Sequence, residues 1–252
     1  MQAKQKIQKR RIDQLLVERG LAESRQRAQA LILAGQVLVR GQKAQKAGAL
    51  VAADVPVEII GDTLPYASRG GLKLEGALND CGLNPTGKIC LDIGSSTGGF
   101  TDCLLQRGAR RVYAVDVNVN QLAWKLHQDS RVVKVKRNAR YLKFEDIGEL
   151  ADLATADVSF ISVAKILPAL CPLLKPGADL LILIKPQFEL DRADIRKGGV
   201  VVDPALHDRA VARVRGAAEA LGLLVANVHP SRLLGAEGNL EFFLHARRTP
   251  ME

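Results

Sequence analysis

The chain has 252 residues, of which 47% are hydrophobic and 25% charged, an ordinary composition for a globular protein of one large or two smaller domains. No apolar run is long enough to cross a membrane, and the N-terminus lacks the apolar segment of a secretory signal. The four cysteines include no Cys-x-x-Cys pair, so neither a zinc site nor a disulfide framework is indicated. We therefore expect a cytoplasmic protein.

The formal net charge of +9 is concentrated at the start of the chain. Residues 1–60 contain eleven Lys and Arg against five Asp and Glu. A basic surface of this kind usually contacts phosphates. For residues 1–9 alone, a solvated and disordered start explains the charge equally well.

Residues 11–60 predict two short helices and a few strands. RIDQLLVERG favours an amphipathic helix that Gly20 ends, and SRQRAQALILAG favours a second helix that Ser24 caps and Gly35 closes. QVLVRGQKA and VPVEII are typical of strands. Such a unit has a thin core and a basic surface. Its predicted phosphate contacts are Arg11, Arg25, Arg27, Arg40, Lys43 and Lys46.

A change of pattern occurs in IGDTLPYAS. Residues 61–67 are rich in turn-forming residues and are predicted to link a domain at 1–60 to a domain at 68–252. In the second domain strand-like runs alternate with helical stretches, which predicts a doubly wound sheet with helices on both faces. The last two strand-like runs, LLVANVHPS and NLEFFLHARR, have no helix between them and predict an antiparallel hairpin at the edge of the sheet.

The run LDIGSSTGGFT follows the first strand of this sheet and begins a helix, which is where ligands of such sheets bind. The middle glycine of the dinucleotide pattern G-x-G-x-x-G is absent. Asp92 suits the ammonium of an amino-acid moiety, and Asp116 can accept hydrogen bonds from two ribose hydroxyls, as in NAD or S-adenosylmethionine sites. The predicted cofactor contacts are Asp92, Gly94, Ser95, Ser96, Thr97, Gly98, Gly99, Asp116 and Asn138.

A second glycine-bearing segment, GLNPTGKI at residues 82–89, nearly matches the phosphate loop of ATPases. Ile89 replaces the hydroxyl residue that binds magnesium, and the segment precedes its strand instead of following it. ATP or GTP hydrolysis is therefore disfavoured.

Charged residues also occur at the ends of later predicted strands. Asp157 ends or follows the fourth strand, and Lys185 ends the fifth strand, LLILI. Both positions belong to the ligand edge of the sheet. Glu241 lies in the final strand between Leu240 and Phe242, an unusual setting for an acid.

Two families resemble parts of this chain. Residues 11–60 resemble the S4 RNA-binding domain through R-x-D-x-x-L and G-L-x-x-S-R-x-x-A-x-x-L-I-x-x-G. DIGSSTGGF resembles the cofactor loop of FtsJ-type RNA ribose methyltransferases. Along almost the full length, SRGGLKLEGAL, LDIGSSTGGFTDCLLQRGA, AVDVNVNQLAWKL, DVSFIS, LIKPQFE and GNLEFFL are similar to the TlyA family of ribosomal RNA 2′-O-methyltransferases, often labelled hemolysins.

The TlyA resemblance implies an α/β fold, in which a Rossmann-like S-adenosylmethionine-dependent methyltransferase sheet follows a small N-terminal α+β RNA-binding domain. It also implies a catalytic tetrad of Lys73, Asp157, Lys185 and Glu241. Methyl transfer to a ribose hydroxyl needs a base, and desolvation with a second lysine nearby favours the neutral amine of a lysine. Lys185 is the expected base and Asp157 its partner, while Lys73 and Glu241 orient the ribose.

The same resemblance implies ribosomal RNA as the partner and a cytidine as the target, with Arg69 as a further RNA contact. No metal, membrane or obligate protein partner is expected. Shorter family members act on the large subunit only, and this chain ends eleven residues after Glu241, so the large subunit is the expected target.

Alternatives remain open at this point. The chain could be a non-catalytic RNA-binding or ribosome-assembly protein that retains the fold, or a membrane-active hemolysin. Other methyl acceptors fit less well. Methylation of a base amino group is disfavoured because DVSF lacks the prolines of the motif typical of that reaction. Carbon-5 methylation of cytosine needs a nucleophilic cysteine after the fourth strand, but Cys171 lies at the far end of the following helix.

Overall fold

The computed structural model describes residues 9–22, 24–33, 35–60, 64–195, 198–235 and 238–249. The chain divides into two compact units, Met1–Thr63 and Leu64–Glu252. Most of the basic N-terminal tip (residues 1–8) and residues 61–63 of the predicted linker lie outside the described residues. Residues 64–67, predicted as linker, belong to the second unit instead. The reason is the buried ring of Tyr66, which packs so closely on Gly71 that a Cβ there would overlap it.

The first unit is a small α+β structure with two short sheets. In chain order its elements are β1 (Lys9–Arg11), α1 (Ile12–Glu18), α2 (Arg25–Leu33), β2 (Val37–Val39), β3 (Gln42–Lys43), β4 (Leu50–Ala52) and β5 (Val57–Ile59). Strand β2 lies between β3 and β5, and β1 pairs with β4, all antiparallel. The two predicted helices are confirmed. Ser24 Oγ accepts a hydrogen bond from Arg27 N at 3.1 Å, and Gly20 and Gly35 adopt positive φ after the helices.

The second unit contains one large sheet with helices on both faces. Its elements are α3 (Arg69–Asp80), β6 (Ile89–Ile93), α4 (Gly99–Gln106), β7 (Arg111–Asp116), α5 (Trp124–Gln128), β8 (Val132–Lys136), α6 (Phe144–Ile147), β9 (Ala151–Ala156), α7 (Leu167–Leu170), β10 (Leu174–Ile184), α8 (Pro186–Glu189), α9 (Pro204–Glu219), β11 (Leu223–Pro230) and β12 (Phe242–Arg248). The strand order is β11-β12-β10-β9-β6-β7-β8.

The predicted fold class is confirmed. Strands β6 to β10 are parallel, and β12 is antiparallel to both of its neighbours, so the closing hairpin lies at the sheet edge as expected. The central strands are buried on both faces, because helices cover each side and leave their aliphatic side chains no contact with water.

One predicted helix is broken. The run AKILPALCPLL forms α7 between two short 3₁₀ helices, Val163–Lys165 and Cys171–Leu173, instead of one continuous helix. Pro168 and Pro172 cause the breaks, because proline has no N–H to donate to the preceding turn. Across the described ranges, no helix is both long and apolar enough to span a bilayer.

Candidate active site at the carboxyl edge of the sheet

Two adjoining cavities open where β6, β7, β8 and β9 end. The larger has a volume of about 600 Å³ and the smaller about 300 Å³. They share Gly94, Ser96 and Asp157, so a ligand that fills the larger one reaches the smaller one. The larger cavity is lined by Gly94, Ser96, Val115, Asp116, Val117, Arg137, Asn138, Ala139, Asp157, Val158, Ser159, Phe160, Ile161 and Ile166. The smaller is lined by Ser68, Arg69, Gly70, Lys73, Gly94, Ser95, Ser96, Thr97, Gly99, Phe100, Asp157, Leu234 and Gly235.

The larger cavity has the features of a nucleoside site. Its walls include Val115, Val117 and Ile161, which offer apolar contact to a flat ring. The carboxylate of Asp116 lies at the end of β7 and accepts hydrogen bonds from Ser96 N at 3.0 Å and from Asn118 N at 2.9 Å. These bonds fix the carboxylate and leave each oxygen a further lone pair for a hydroxyl donor.

Asn138, a predicted cofactor contact, also lines the larger cavity. Its Oδ1 accepts a hydrogen bond from Arg140 N at 3.0 Å and starts a short 3₁₀ helix, Ala139–Tyr141. The side-chain oxygen is therefore engaged, and the amide nitrogen is the group that can still donate. This arrangement suits a ring-nitrogen acceptor.

The glycines of the loop between β6 and α4 make room for protein atoms. A Cβ on Gly94 would overlap the carbonyl oxygen of Asp157, and one on Gly99 would overlap Ser68 Oγ. Gly98, with φ +92°, packs against Leu126 and lines neither cavity. The lack of a side chain at Gly98 thus makes room for the contact with Leu126 of α5, and its predicted cofactor contact stays a prediction.

Asp92, also predicted as a cofactor contact, lies away from both cavities. It lies inside β6, one residue before the strand ends, and is fully buried outside both cavities. Thr101 Oγ1 donates to one carboxylate oxygen at 2.6 Å and Thr155 Oγ1 to the other at 3.2 Å. Burial raises the pKa of this carboxyl to about 7, against the lowering effect of the threonine hydroxyls. Asp92 therefore ties α4 and β9 together beneath the loop and does not face a ligand.

Ser95, Ser96 and Thr97 belong to this loop and line the smaller cavity. The Ser95 side chain is buried, and its hydroxyl has no hydrogen-bond partner among the residues that the structure describes. A buried hydroxyl without a partner is energetically costly unless a ligand satisfies it. Ser95 is thus a candidate contact for the polar end of a ligand.

Lys185 and Asp157 form an ion pair beside the cavities. Lys185 directly follows β10 and Asp157 directly follows β9, and these parallel strands bring Lys185 Nζ within 2.5 Å of Asp157 Oδ1. Lys185 Nζ also donates to Ser159 Oγ at 3.1 Å. Both side chains are largely shielded from water, with exposed fractions of 13% for Lys185 and 23% for Asp157.

Lys73 and Glu241 form the second ion pair, with 2.6 Å between Lys73 Nζ and Glu241 Oε2. Lys73 lies in α3. The sequence predicted Glu241 inside the final strand, but it immediately precedes β12. The Glu241 carboxylate is buried, and Gly235 makes room for it, since a Cβ there would overlap Oε1. Lys73 and Asp157 both line the smaller cavity, so each of the two ion pairs contributes one residue to its wall.

The side chains predicted to contact RNA differ in their ion pairing and in their exposure to solvent. Arg11 and Arg25 are bound to the buried carboxylate of Asp13, at 3.0 and 3.3 Å, and these bonds hold the pKa of Asp13 well below its usual range. Arg40, Lys43 and Lys46 are exposed, whereas Arg27 is half-buried. Arg69 belongs to the second unit and lines the smaller cavity.

The sequence predictions missed several cavity residues. Ser159 and Phe160 lie two and three residues after Asp157, and Phe160 is 93% exposed with an unusual positive φ of 64°. Their position next to a candidate catalytic acid was a signal that could have found them. Val117 and Arg137, which follow β7 and β8, could have been found by the same rule that selected Asp116.

Comparison with known proteins assigns the chain to a family. A model of the FtsJ-like methyltransferases matches residues 66–248, and a model of the S4 domain matches residues 10–55. Over 239 residues the chain is 46% identical to the 16S/23S rRNA (cytidine-2′-O)-methyltransferase TlyA of Mycobacterium tuberculosis, a match that covers 94% of this chain and 89% of the relative. The chain belongs to the TlyA family of FtsJ-like methyltransferases.

Two further relatives agree with this assignment. A Bacillus subtilis protein described as a candidate rRNA methyltransferase, YqxC, is 48% identical over 94% of this chain and 85% of its own length. A solved structure described as a candidate hemolysin from Streptococcus thermophilus superposes with a TM-score of 0.75 at 41% identity, covering 97% of this chain and 90% of that one. The resemblance drawn from the motifs is confirmed, including the hemolysin naming of relatives.

Proposed function

We propose that the protein transfers the methyl group of S-adenosylmethionine to the ribose 2′-hydroxyl of a cytidine in ribosomal RNA. The observation that carries the proposal is the Lys185–Asp157 pair, 2.5 Å apart beside a cavity that Lys73 also lines. A relative from Mycobacterium tuberculosis, 46% identical, has this reaction in its name.

The cavities fit S-adenosylmethionine. Asp116 would accept hydrogen bonds from the two ribose hydroxyls, and the apolar wall around Val117 and Ile161 would contact the adenine, with the Asn138 amide nearby. The unpartnered hydroxyl of Ser95 would meet the amino-acid end. When bound, the cofactor supplies an electrophilic methyl group on a sulfonium.

The chain's own residues supply the proton chemistry. Lys185 Nζ, as the neutral amine, would take the proton of the ribose 2′-hydroxyl, which makes the oxygen a better nucleophile. The ammonium so formed is stabilised by Asp157 at 2.5 Å and donates to Ser159 at 3.1 Å. Lys73, held by the buried Glu241, would orient the target ribose in the smaller cavity.

RNA binding is proposed for the S4 domain and for the rim of the smaller cavity. The exposed cations Arg40, Lys43 and Lys46 would contact phosphates, which position an RNA without reading its sequence. Arg69 would contact the RNA backbone at the smaller cavity. Action on the large ribosomal subunit remains a prediction.

The test offers unmodified large and small ribosomal subunits separately, with S-adenosylmethionine labelled in its methyl group. We expect label in RNA that survives alkali as a ribose-methylated dinucleotide, because a 2′-O-methyl group blocks cleavage at that nucleotide. The labelled subunit identifies the target. Label that is released as a free methylated base contradicts ribose methylation. A chain that binds no cofactor by calorimetry is instead a non-catalytic RNA-binding protein.

A further inference from the structure

The turn after β10 carries a second carboxylate that the proposed mechanism does not use. Glu189, the last residue of α8, is only 2% exposed and lines neither cavity. Its Oε2 accepts a hydrogen bond from Ser162 Oγ at 2.5 Å, and its Oε1 accepts one from Val163 N at 2.7 Å. Both donors belong to the loop that follows β9, which is the loop that carries Asp157.

This loop, residues 157–163, has a strained backbone that must be held in place by contacts with the rest of the protein. Phe160 is held at φ +64°, a left-handed conformation that is unfavourable for a residue with a side chain. Its ring is 93% exposed and meets the Phe188 ring at a centroid distance of 5.3 Å. A strained loop keeps its shape only when contacts on either side of the strained residue hold it.

The turn after β10 provides contacts on both sides of Phe160. Lys185, at the start of the turn, binds Asp157 and Ser159, and Glu189, at its end, binds Ser162 and Val163. The two residues are joined by the single helical turn α8. That turn is fixed in its own right, since Arg213 of α9 donates to the Glu189 carbonyl oxygen at 2.6 Å.

The burial of Glu189 has an energetic consequence. Burial raises the pKa of its carboxyl above the usual value, although Ser162 and Val163 counteract this through their hydrogen bonds. Burying a carboxyl group away from water destabilises the fold unless hydrogen bonds to the protein offset the loss of hydration. In this structure those bonds go to the loop of the proposed catalytic Asp157.

We propose that Glu189 is a positioning residue for methyl transfer. Through Ser162 and Val163 it fixes the far end of the loop and thereby aligns Asp157 and Ser159 with Lys185. The inference rests on the proposed function, because the aligned pair is the proposed base and its partner.

The test compares Glu189→Gln and Glu189→Ala with the control Asp152→Asn. Asp152 also ties β9 to β10, through Lys175 at 2.7 Å, but near the amino ends of these strands, away from the cavities. We expect kcat to fall about tenfold for Gln, which keeps one acceptor, and about a hundredfold for Ala, as for loss of hydrogen bonds to a charged group. The Kd of S-adenosylmethionine and the KM for RNA should change less than about twofold, since Glu189 touches neither cavity. Asp152→Asn should retain the wild-type kcat.

A second measurement separates alignment from a general loss of stability. In protein labelled with ¹⁵N-lysine, the Nζ resonance of Lys185, assigned by its absence in Lys185→Arg, should shift in Glu189→Gln and in Ser162→Ala but not in Asp152→Asn. The kcat losses of Glu189→Ala and Ser162→Ala should also be less than additive, because the two residues share one hydrogen bond.

Three results would overturn the inference. The first is a wild-type kcat in folded Glu189→Gln. The second is a weakened affinity for S-adenosylmethionine that by itself accounts for the whole loss of methyl-transfer activity. The third is an unchanged Lys185 Nζ resonance in both Glu189→Gln and Ser162→Ala. Failure of the proposed function looks different, since then the wild-type chain itself transfers no methyl group to ribosomal RNA.

Discussion

Strands β9 and β10 carry a lysine–aspartate pair at each of their ends. Near the amino ends, Lys175 Nζ lies 2.7 Å from Asp152 Oδ1, and at the carboxyl ends, Lys185 Nζ lies 2.5 Å from Asp157 Oδ1. The residue types and distances are almost the same. The surroundings are not: the Lys175 side chain is 43% exposed, and that of Lys185 is 13% exposed.

The partners of the two carboxylates also differ. Asp152 accepts a further hydrogen bond from Ile89 N at 2.9 Å, so it helps to join β9 to β6. Asp157 faces both cavities. An ion pair in water is worth little, whereas a shielded pair interacts strongly and responds to a nearby ligand. The comparison shows that position at the sheet edge, and not the pair itself, makes a candidate catalytic group.

The largest expected effect comes from removing the two lysines separately. Lys185→Met should lower kcat about a thousandfold, because a general base contributes roughly 10²–10⁴ to the rate. Lys175→Met should leave kcat unchanged. Single-turnover transfer to ribosomal RNA measures both, and calorimetry should show unaltered cofactor binding in each. Near-normal turnover in folded Lys185→Met would remove Lys185 from the role of base.

The next effect concerns the more deeply buried pair, Lys73 and Glu241. Lys73→Ala leaves the Glu241 carboxylate buried without its partner and should destabilise the second unit by about 3 kcal/mol. The double variant Lys73→Met with Glu241→Gln should recover most of that loss, because no unpaired charge remains. Urea unfolding measures the difference. Equal stability of Lys73→Ala and the double variant would show that Glu241 is not held as a charged group.

The sequence allowed the doubly wound sheet, its closing antiparallel hairpin and the edge position of one ion pair to be anticipated. Lys185 follows an aliphatic run that is typical of a buried strand, and Asp157 follows the strand-like run ADLATA, so both side chains were expected at the ligand edge. That they pair with each other was implied by the family resemblance. The Lys73–Glu241 contact joins residues 168 positions apart, through the packing of α3 near the start of β12. Local pattern carries no information on such a contact; only the family resemblance suggested it.

The sequence was least informative where one residue decides the outcome. Asp92 was predicted to contact an amino-acid ammonium, but the strand β6 continues through Ile93, and the Asp92 carboxylate is buried outside both cavities. Strands β1 and β4 have three residues each, too few to show an alternating pattern. The positive φ of Phe160 is set by contacts on both sides of its loop, which no local propensity encodes.

A smaller effect should distinguish the buried Asp92 from the carboxylates that face the cavities. The pKa of Asp92 is raised to about 7 by burial, whereas the unfolded chain loses this proton near 3.8. The folded state therefore holds the proton longer, and stability should fall by about 2 kcal/mol as the pH rises from about 5 to 7. Asp92→Asn should lack this decline. Urea titrations at several pH values measure it, and identical slopes for both proteins would contradict a protonated Asp92.

The smallest predicted effect tests the opposite edges of the sheet with a second matched pair. Asp116, the last residue of β7, accepts from Asn118 N two residues on, and Asp129, before β8, accepts in the same way from Arg131 N, both at 2.9 Å. Asp116→Asn should raise the Kd of S-adenosylmethionine about tenfold, a loss of about 1.4 kcal/mol, since an amide accepts at one atom only. Asp129→Asn should not change it. Because both substitutions disturb the same kind of turn, an equal loss in the two variants would mean that the turn, and not the cofactor contact, is being measured. A loss confined to Asp116→Asn would instead assign the ribose contact to the carboxyl edge, where Asp157 and Lys185 also lie.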